Sequence, residues 1–372
     1  MTMPDNSVGV ILGTRPEAIK LAPVIKQLNS LSQTKTYLIL TGQHREMVDR
    51  VMELFDLQAD RDLAIMKHKQ TLTSITCASL QGLAEVFAEI EPKFIFVQGD
   101  TTTAFSAALA AFYHRIPIGH VEAGLRTNNI YDPYPEEANR RLISQIAQLH
   151  FAPTQLAVQN LQKSGVTGAI HHTGNTVIDS LLTVASQKPK CSVPNLDWDK
   201  YRVLLATVHR RENWGKPLED ILTGFKTILD RFPDTALLLP LHRNPTVREP
   251  ILAALGDRPR VFLTEPLDYP ELVGAISRCH LLLTDSGGLQ EEAPSLGKPV
   301  LVLRETTERP EAVDAGTAKL IGTNPQTIVD STAELLENKA VYQQMATAIN
   351  PFGDGKASVR IVKLARDYWL KQ

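Results

Sequence analysis

Cysteine is scarce in this chain: Cys77, Cys191 and Cys279 are odd in number, far apart and in no CxxC arrangement. That argues against a disulfide framework and fits a reducing compartment. Charge of one sign is also lacking, since 39 Lys and Arg face 41 Asp and Glu for a formal net charge of -2. No electrostatic case exists for nucleic acid or an anionic membrane, and any anion site must be local. Long apolar runs are missing too. The longest, around Ala104 to Tyr113, falls far short of the roughly 20 residues a membrane-spanning helix needs, and no secretory leader is read at the start. A soluble, cytoplasmic protein with no nucleic-acid or membrane partner is expected. Repeats and low-complexity tracts are absent, against solenoid and disordered readings. No spacing of His, Cys and acids reads as a metal site, so none is expected, and no nucleophile elbow occurs.

What is present is 372 residues with 43% hydrophobic side chains, enough for two domains. Short β-branched runs alternate with helical patterns: Ser7 to Leu12, Thr36 to Leu40, Lys93 to Val97 and Ile116 to Val121. A second series follows in Arg202 to Val208, Thr235 to Pro240, Arg260 to Thr264, His280 to Thr284 and Pro299 to Leu303. This alternation is the signature of βαβ units, so the expected fold is α/β, two Rossmann-like domains with parallel sheets. Gln187 to Lys200 holds prolines and little periodicity, as an interdomain connection would. The expected division is 1–186 and 187–355. Lys356 to Leu370 reads as an amphipathic helix, and 356–372 is expected to pack back on the first domain.

Ligands bind outside the carboxyl ends of parallel strands, so chemistry is sought there. After Leu12 comes GTRPEAIK, where Gly13 permits a tight turn and Pro16 suits a helix start; with Arg15 and Lys20 this makes an anion site, or an ordinary turn with solvated bases. Asp100 and Glu122 follow two consecutive runs, and Glu136 lies at the next helix start. Singly, each reads as a cap or a turn residue. Together they form a cluster able to raise one another's proton affinity for general acid or base work.

In the second half, DSGGLQEE places Ser286, Gly287 and Gly288 at a helix start, with Glu292 a turn later. Bare amides there can wrap a pyrophosphate while the acid accepts ribose hydroxyls; the plain alternative is a capped helix. Arg309 follows in RETTERPEA, where a further phosphate contact and a surface loop read alike. TVHRREN and PLHRNP bring His209, Arg210 and His242 to strand ends, where cations could stabilise a departing phosphate.

The motifs GTRPEAIK, TGQHREM, GDTTTA, GHVEAGLRT, PEEANR, GNTVID, HRRE, DSGGLQEEAPSLGKPVL and TTERPEA run in order along the chain. In these it resembles the non-hydrolysing UDP-N-acetylglucosamine 2-epimerases. The resemblance implies two Rossmann-like domains of the glycosyltransferase-B type, with the active site in the cleft between them. It places Arg15, Lys20, His209, Ser286, Gly287, Gly288, Glu292 and Arg309 on substrate-binding positions, and Asp100, Glu122 and Glu136 on the catalytic acids. His209 is expected to share in catalysis, and Asp100 and Glu122 in substrate binding. Leu267 and Leu272 fall in a variable stretch near the implied uracil pocket.

The hydrogen on carbon 2 of a glycoside is not acidic, and no GxGxxG is present to bind NAD for an oxidative route. The remaining route eliminates UDP across carbons 1 and 2 and adds it back to the other face. The resemblance implies this route, through an acetamidoglucal and with no cofactor, supplying N-acetylmannosamine-type sugars for cell-surface polysaccharides. Which acid removes the proton and which returns it does not follow from sequence. Substrate is expected to draw the domains together about Gln187 to Lys200 and the final helix. The resemblance further implies a homodimer and activation by a second UDP-N-acetylglucosamine, with Gln43, Gln70, Arg210 and His242 as candidates. Rival readings are a glycosyltransferase of the same fold, an epimerase for a modified sugar such as a uronic acid, a hydrolysing relative, and a nucleotide-sugar sensor.

Overall fold

The computed structural model describes residues 6–42, 45–66 and 70–371. The chain separates into two compact units, Met1–Ser180 with Phe352–Gln372, and Leu181–Pro351. The first unit contains β1 (Asn6–Leu12), β2 (Thr34–Leu40), β3 (Arg61–Asp62), β4 (Phe94–Gln98), β5 (Ile118–Val121), β6 (Leu149–Ala152) and β7 (Ala169–His172). Every pairing is parallel, in the order β3-β2-β1-β4-β5-β6-β7. The winding runs outward from β1 and then resumes on its other side at β4. Between β1 and β4 the connections diverge, and such a switch point opens a crevice at the carboxyl edge.

The second unit repeats the plan with β8 (Arg202–Thr207), β9 (Thr235–Pro240), β10 (Val261–Thr264), β11 (Leu281–Thr284), β12 (Val300–Val302) and β13 (Ala318–Leu320). Its order is β10-β9-β8-β11-β12-β13, again all parallel, with the switch point between β8 and β11. Both units are therefore Rossmann-like, as the alternation of runs predicts.

Central strands are covered on both faces, which is why β4 (FIFVQ) and β11 (LLLT) are almost wholly apolar and entirely buried. Four strands have no counterpart among the apolar runs: β3, β6, β7 and β13. They are two to four residues long and read RD, LHFA, AIHH and AKL. Pairing with a neighbour, rather than composition, makes them strands.

Phe94, Phe96 and Phe151 are fully buried in the first unit. The last helix, Ala357–Trp369, brings Tyr368 and Trp369 against Phe94, with ring centroids 6.0 and 5.6 Å away. Asp179 holds the start of that helix, accepting from the Ala357 and Ser358 amides at 3.2 and 2.8 Å. A carboxylate there satisfies orphan donors and complements the helix dipole. The second core is mostly leucine, with Leu237, Leu239, Leu281, Leu283 and Leu301 packed on Phe225, Ile228 and Ile328. Among the described residues no helix is long and apolar enough to cross a membrane.

Candidate active site

The loop after β1 turns tightly because Gly13 has no side chain: a Cβ there would lie 2.2 Å from the Thr41 hydroxyl and 2.6 Å from that of Thr103. The turn wraps around Glu17, which is 1% exposed. Glu17 accepts from the Gly13 and Thr14 amides at 2.9 and 2.7 Å and from the Thr14 hydroxyl at 2.8 Å. The Thr101 hydroxyl donates to its other oxygen, joining this loop to the one after β4. Burial raises the Glu17 pKa, against these hydrogen bonds; a partner set made only of donors nonetheless suits the anion. Arg15, half-buried at the start of the helix Arg15–Asn29, makes no hydrogen bond or ion pair among the described residues. Lys20, a turn later, donates to both Glu122 oxygens at 2.6 Å.

Glu122 stands just past β5 with φ +61° and is 6% exposed. Besides Lys20 it accepts from Gln98, the last residue of β4, and from Asn175 Nδ2 at 2.9 Å. Asp100 lies at the neighbouring strand end, partly exposed, with Arg140 Nε 3.4 Å from its carboxylate. Burial pushes the Asp100 pKa up; Arg140 and Lys20 oppose this, while the nearby charges of Glu122 and Glu136 add to it. Glu136 opens the helix Glu136–Ile146 and makes no hydrogen bond or ion pair among the described residues. The structure thus gathers Asp100, Glu122, Glu136, Lys20 and Arg15 within one unit, on and beside one sheet edge.

Two histidines lie beneath this edge. His120 on β5 and His150 on β6 are register partners and fully buried. Burial lowers their pKa values to about 4 and about 3. Both stay neutral when folded, whereas the unfolded chain takes up protons below about pH 6.5, so stability falls as pH drops from 6.5 toward 4. Each is expected to contribute about 1.4 kcal/mol per pH unit to that slope. Urea titrations at pH 7 and pH 5 check this, with His150→Leu showing a shallower dependence than the parent protein.

In the second unit the switch point is organised by Asp285, which is 0% exposed. It accepts from the His209 and Arg210 amides at 2.8 Å each and from Asn213 Nδ2 at 3.1 Å. His209 Nδ1 lies 2.8 Å from its other oxygen. Burial alone would raise the Asp285 pKa; the His209 ring and these amides outweigh it and hold the group below the usual carboxylate range. With Nδ1 turned to Asp285, Nε2 of His209 is the ring nitrogen left to meet a ligand. Thr207 and Thr284, ending β8 and β11, share a hydroxyl hydrogen bond of 2.6 Å that closes the edge.

A cavity of about 310 Å³ opens within this unit, bordered by His209, His242, Leu267, Leu272, Ser286 and Glu292. Glu292 is held by the Tyr269 hydroxyl at 3.5 Å. Gly287 and Gly288 start the helix Gly287–Glu292, and neither has a positive φ. An added Cβ would come no nearer than 3.6 Å to Arg210 at Gly287 and 4.0 Å to Ser286 at Gly288. Neither conformation nor packing inside the unit calls for glycine at these two positions. Arg309 does not reach into open space: its Nε pairs with Glu291 and its Nη1 donates to the Glu308 carbonyl. Arg210 faces Glu308, itself anchored by the buried Arg304. His242 stacks on His209 with centroids 5.8 Å apart. Gln70, in the other unit, donates to the Ile65 carbonyl, and Gln43 lies outside the described residues.

Glu17, Gln98, Arg140, Asn175 and Asp285 hold these groups in place, and sequence reasoning assigned none of them a role. Gln98 and Asp285 sit at strand ends, where a search of the edge alone could have found them. Two doubly wound parallel sheets, each gathering polar groups at its switch point, define a protein of two Rossmann-like units of the glycosyltransferase-B type. A profile of the UDP-N-acetylglucosamine 2-epimerases matches residues 26–366. The UDP-N-acetylglucosamine 2-epimerase of Bacillus subtilis is 49% identical, covering 97% of this chain and 95% of its own. The structure of UDP-GlcNAc 2-epimerase from Neisseria meningitidis bound to UDP-GlcNAc is 46% identical with a TM-score of 0.87, over 97% of this chain and all of that one. The Methanocaldococcus jannaschii enzyme in complex with UDP-GlcNAc and UDP is 32% identical with a TM-score of 0.79, over 97% and 99%. The chain belongs to the UDP-N-acetylglucosamine 2-epimerase family.

Proposed function

We propose that this chain interconverts UDP-N-acetylglucosamine and UDP-N-acetylmannosamine by eliminating UDP to a 2-acetamidoglucal and adding it back. A carboxylate takes the carbon 2 proton, the bond from carbon 1 to the phosphate oxygen breaks, and UDP leaves with the electron pair. Re-addition returns a proton from the opposite face. The observation that carries this reading is the asymmetry among three clustered carboxylates. Glu122 is bonded to Lys20, Gln98 and Asn175, a set made only of donors, which suits an anion. Asp100 has a raised proton affinity and a single long contact to Arg140, and Glu136 stands without a hydrogen-bond partner among the described residues. Asp100 and Glu136 are the pair suited to exchange the proton, and the fixed charge of Glu122 raises the basicity of Asp100.

UDP is assigned to the second unit, with Leu267 and Leu272 for the base, Glu292 for the ribose, and Ser286, Gly287, Gly288 and His209 for the phosphates. Arg15, Lys20 and Arg309 complete the binding set. The open space over the two glycines supports close approach of a phosphate. Gly288→Leu should therefore leave the melting temperature nearly unchanged while weakening UDP by about tenfold or more, equivalent to about 1.4 kcal/mol; scanning calorimetry measures the first and calorimetric titration the second.

The reaction is tested with UDP-N-acetylglucosamine in heavy water, followed by proton NMR. Deuterium at carbon 2 in both epimers is expected. Untouched substrate, or free N-acetylmannosamine, overturns the reading, and turnover of the uronic acid alone would change the substrate. The product suits enzymes that build cell-surface polysaccharide. We further assign Gln43, Gln70, Arg210 and His242 to activation by a second substrate molecule in a homodimer. A hyperbolic rate curve, or a monomer mass in sedimentation, removes the corresponding part.

A further inference from the structure

We propose that His120 is a positioning residue for the epimerisation: its imidazole fixes the turn that presents Asp100 and ties it to the strand that presents Glu122. This rests on the reaction proposed above.

β4 and β5 pair Val97 with His120 and Gln98 with Val121, and the Gly99 amide extends the ladder to the Val121 carbonyl at 3.0 Å. There the ladder ends. Gly99 adopts φ +69°, and Asp100 follows. A glycine in the left-handed region is the least self-restrained unit a chain can have, so the direction of Asp100 needs an outside restraint. His120 Nε2 supplies one, 2.7 Å from the Gly99 carbonyl. Both residues are buried.

The same histidine lies two residues before Glu122, itself in the left-handed region at φ +61°. One ring therefore connects the two turns that carry the carboxylates. Burial keeps it neutral, and its Nδ1 has no partner among the described residues, so Nε2 carries the hydrogen and donates. An unpaired buried nitrogen is costly. A leucine or phenylalanine would fill the same space without that cost, so packing alone gives no reason for an imidazole here. The donor does.

The test compares His120→Gln, His120→Asn and His120→Leu. A glutamine amide has the reach of Nε2; an asparagine amide falls short. Steady-state rates and deuterium exchange at carbon 2 are measured across pH, with UDP affinity and melting temperature as checks on the fold. H120L and H120N should lose about 100-fold in kcat, the effect of misplacing a group by about 1 Å, with KM within about twofold. The acid limb of the kcat profile should move to lower pH as Asp100 gains water. H120Q should recover most of the rate and the original limb. If H120L does not fold, the equally polar H120N and H120Q decide the matter.

Equal rates in H120N and H120Q, a loss of rate with no movement of the acid limb, or wild-type kinetics in H120L each overturn the proposal. If the parent protein exchanges no deuterium, the reaction assigned to the chain is what fails.

Discussion

Asp100→Asn should lower epimerisation and carbon 2 deuterium exchange together by about 10²- to 10⁴-fold, the range general acid–base groups contribute. Asparagine preserves shape and the Asn139 contact to the residue 100 carbonyl, which is 2.8 Å to the backbone. It removes the ability to carry a proton, together with the charge that faces Arg140. KM and UDP affinity should therefore stay within about twofold, because the loss is confined to the transition state. Stability should move the other way. The folded pKa of Asp100 is raised by burial and by the neighbouring charges of Glu122 and Glu136, against Arg140 and Lys20. A raised folded value means the ionised form is disfavoured in the fold, so at neutral pH this carboxylate costs stability. Replacing it should leave the melting temperature equal or higher, as expected where activity demands an unfavourably placed group. Kinetics and calorimetry on one preparation check both halves; a variant that is both active and less stable contradicts them.

Asp285→Ala is expected to be the most damaging single change in the second unit. It strands the His209 and Arg210 amides and takes from Asn213 Nδ2 one of its two acceptors, the Leu303 carbonyl remaining. Removing one partner of a buried charged network costs about 3–5 kcal/mol. The His209 ring loses the group that orients it, so UDP affinity should fall as well. The folded pKa of Asp285 is depressed, so its stabilising contribution is present above the unfolded value near pH 4 and is lost as pH falls below it. Urea unfolding should show a lower midpoint for the variant at pH 7 and a smaller difference from the parent at pH 3. An unchanged midpoint at pH 7 would mean that the amides find other partners.

These two residues mark what could be read from sequence. Both stand within three residues of the end of an apolar run, and parallel strands all end on one edge, so their neighbourhood was legible from strand alternation. Asp100 and Glu122 follow consecutive runs and were expected side by side. What could not be read was partner choice. Lys20 meets Glu122 from 102 positions away, and His209 meets Asp285 from 76. The donor set that separates Glu122 from Asp100 adds Gln98 and Asn175 to Lys20, and neither amide is distinguishable from an ordinary strand-end or loop amide before folding.

The chain by itself determined the α/β class, most strands, and the strand-end loops where polar groups would gather. Burial on both faces of a parallel sheet writes itself into local composition, and handed connections leave few ways to wind the strands. Tertiary structure alone decided the short strands β6 and β7, whose histidine-bearing sequences become strand only by pairing, β6 beside β5 and β7 beside β6. It also decided which carboxylate is saturated and which keeps a raised proton affinity. Those properties depend on sheet order, register and desolvation, which bring together residues that no local pattern connects.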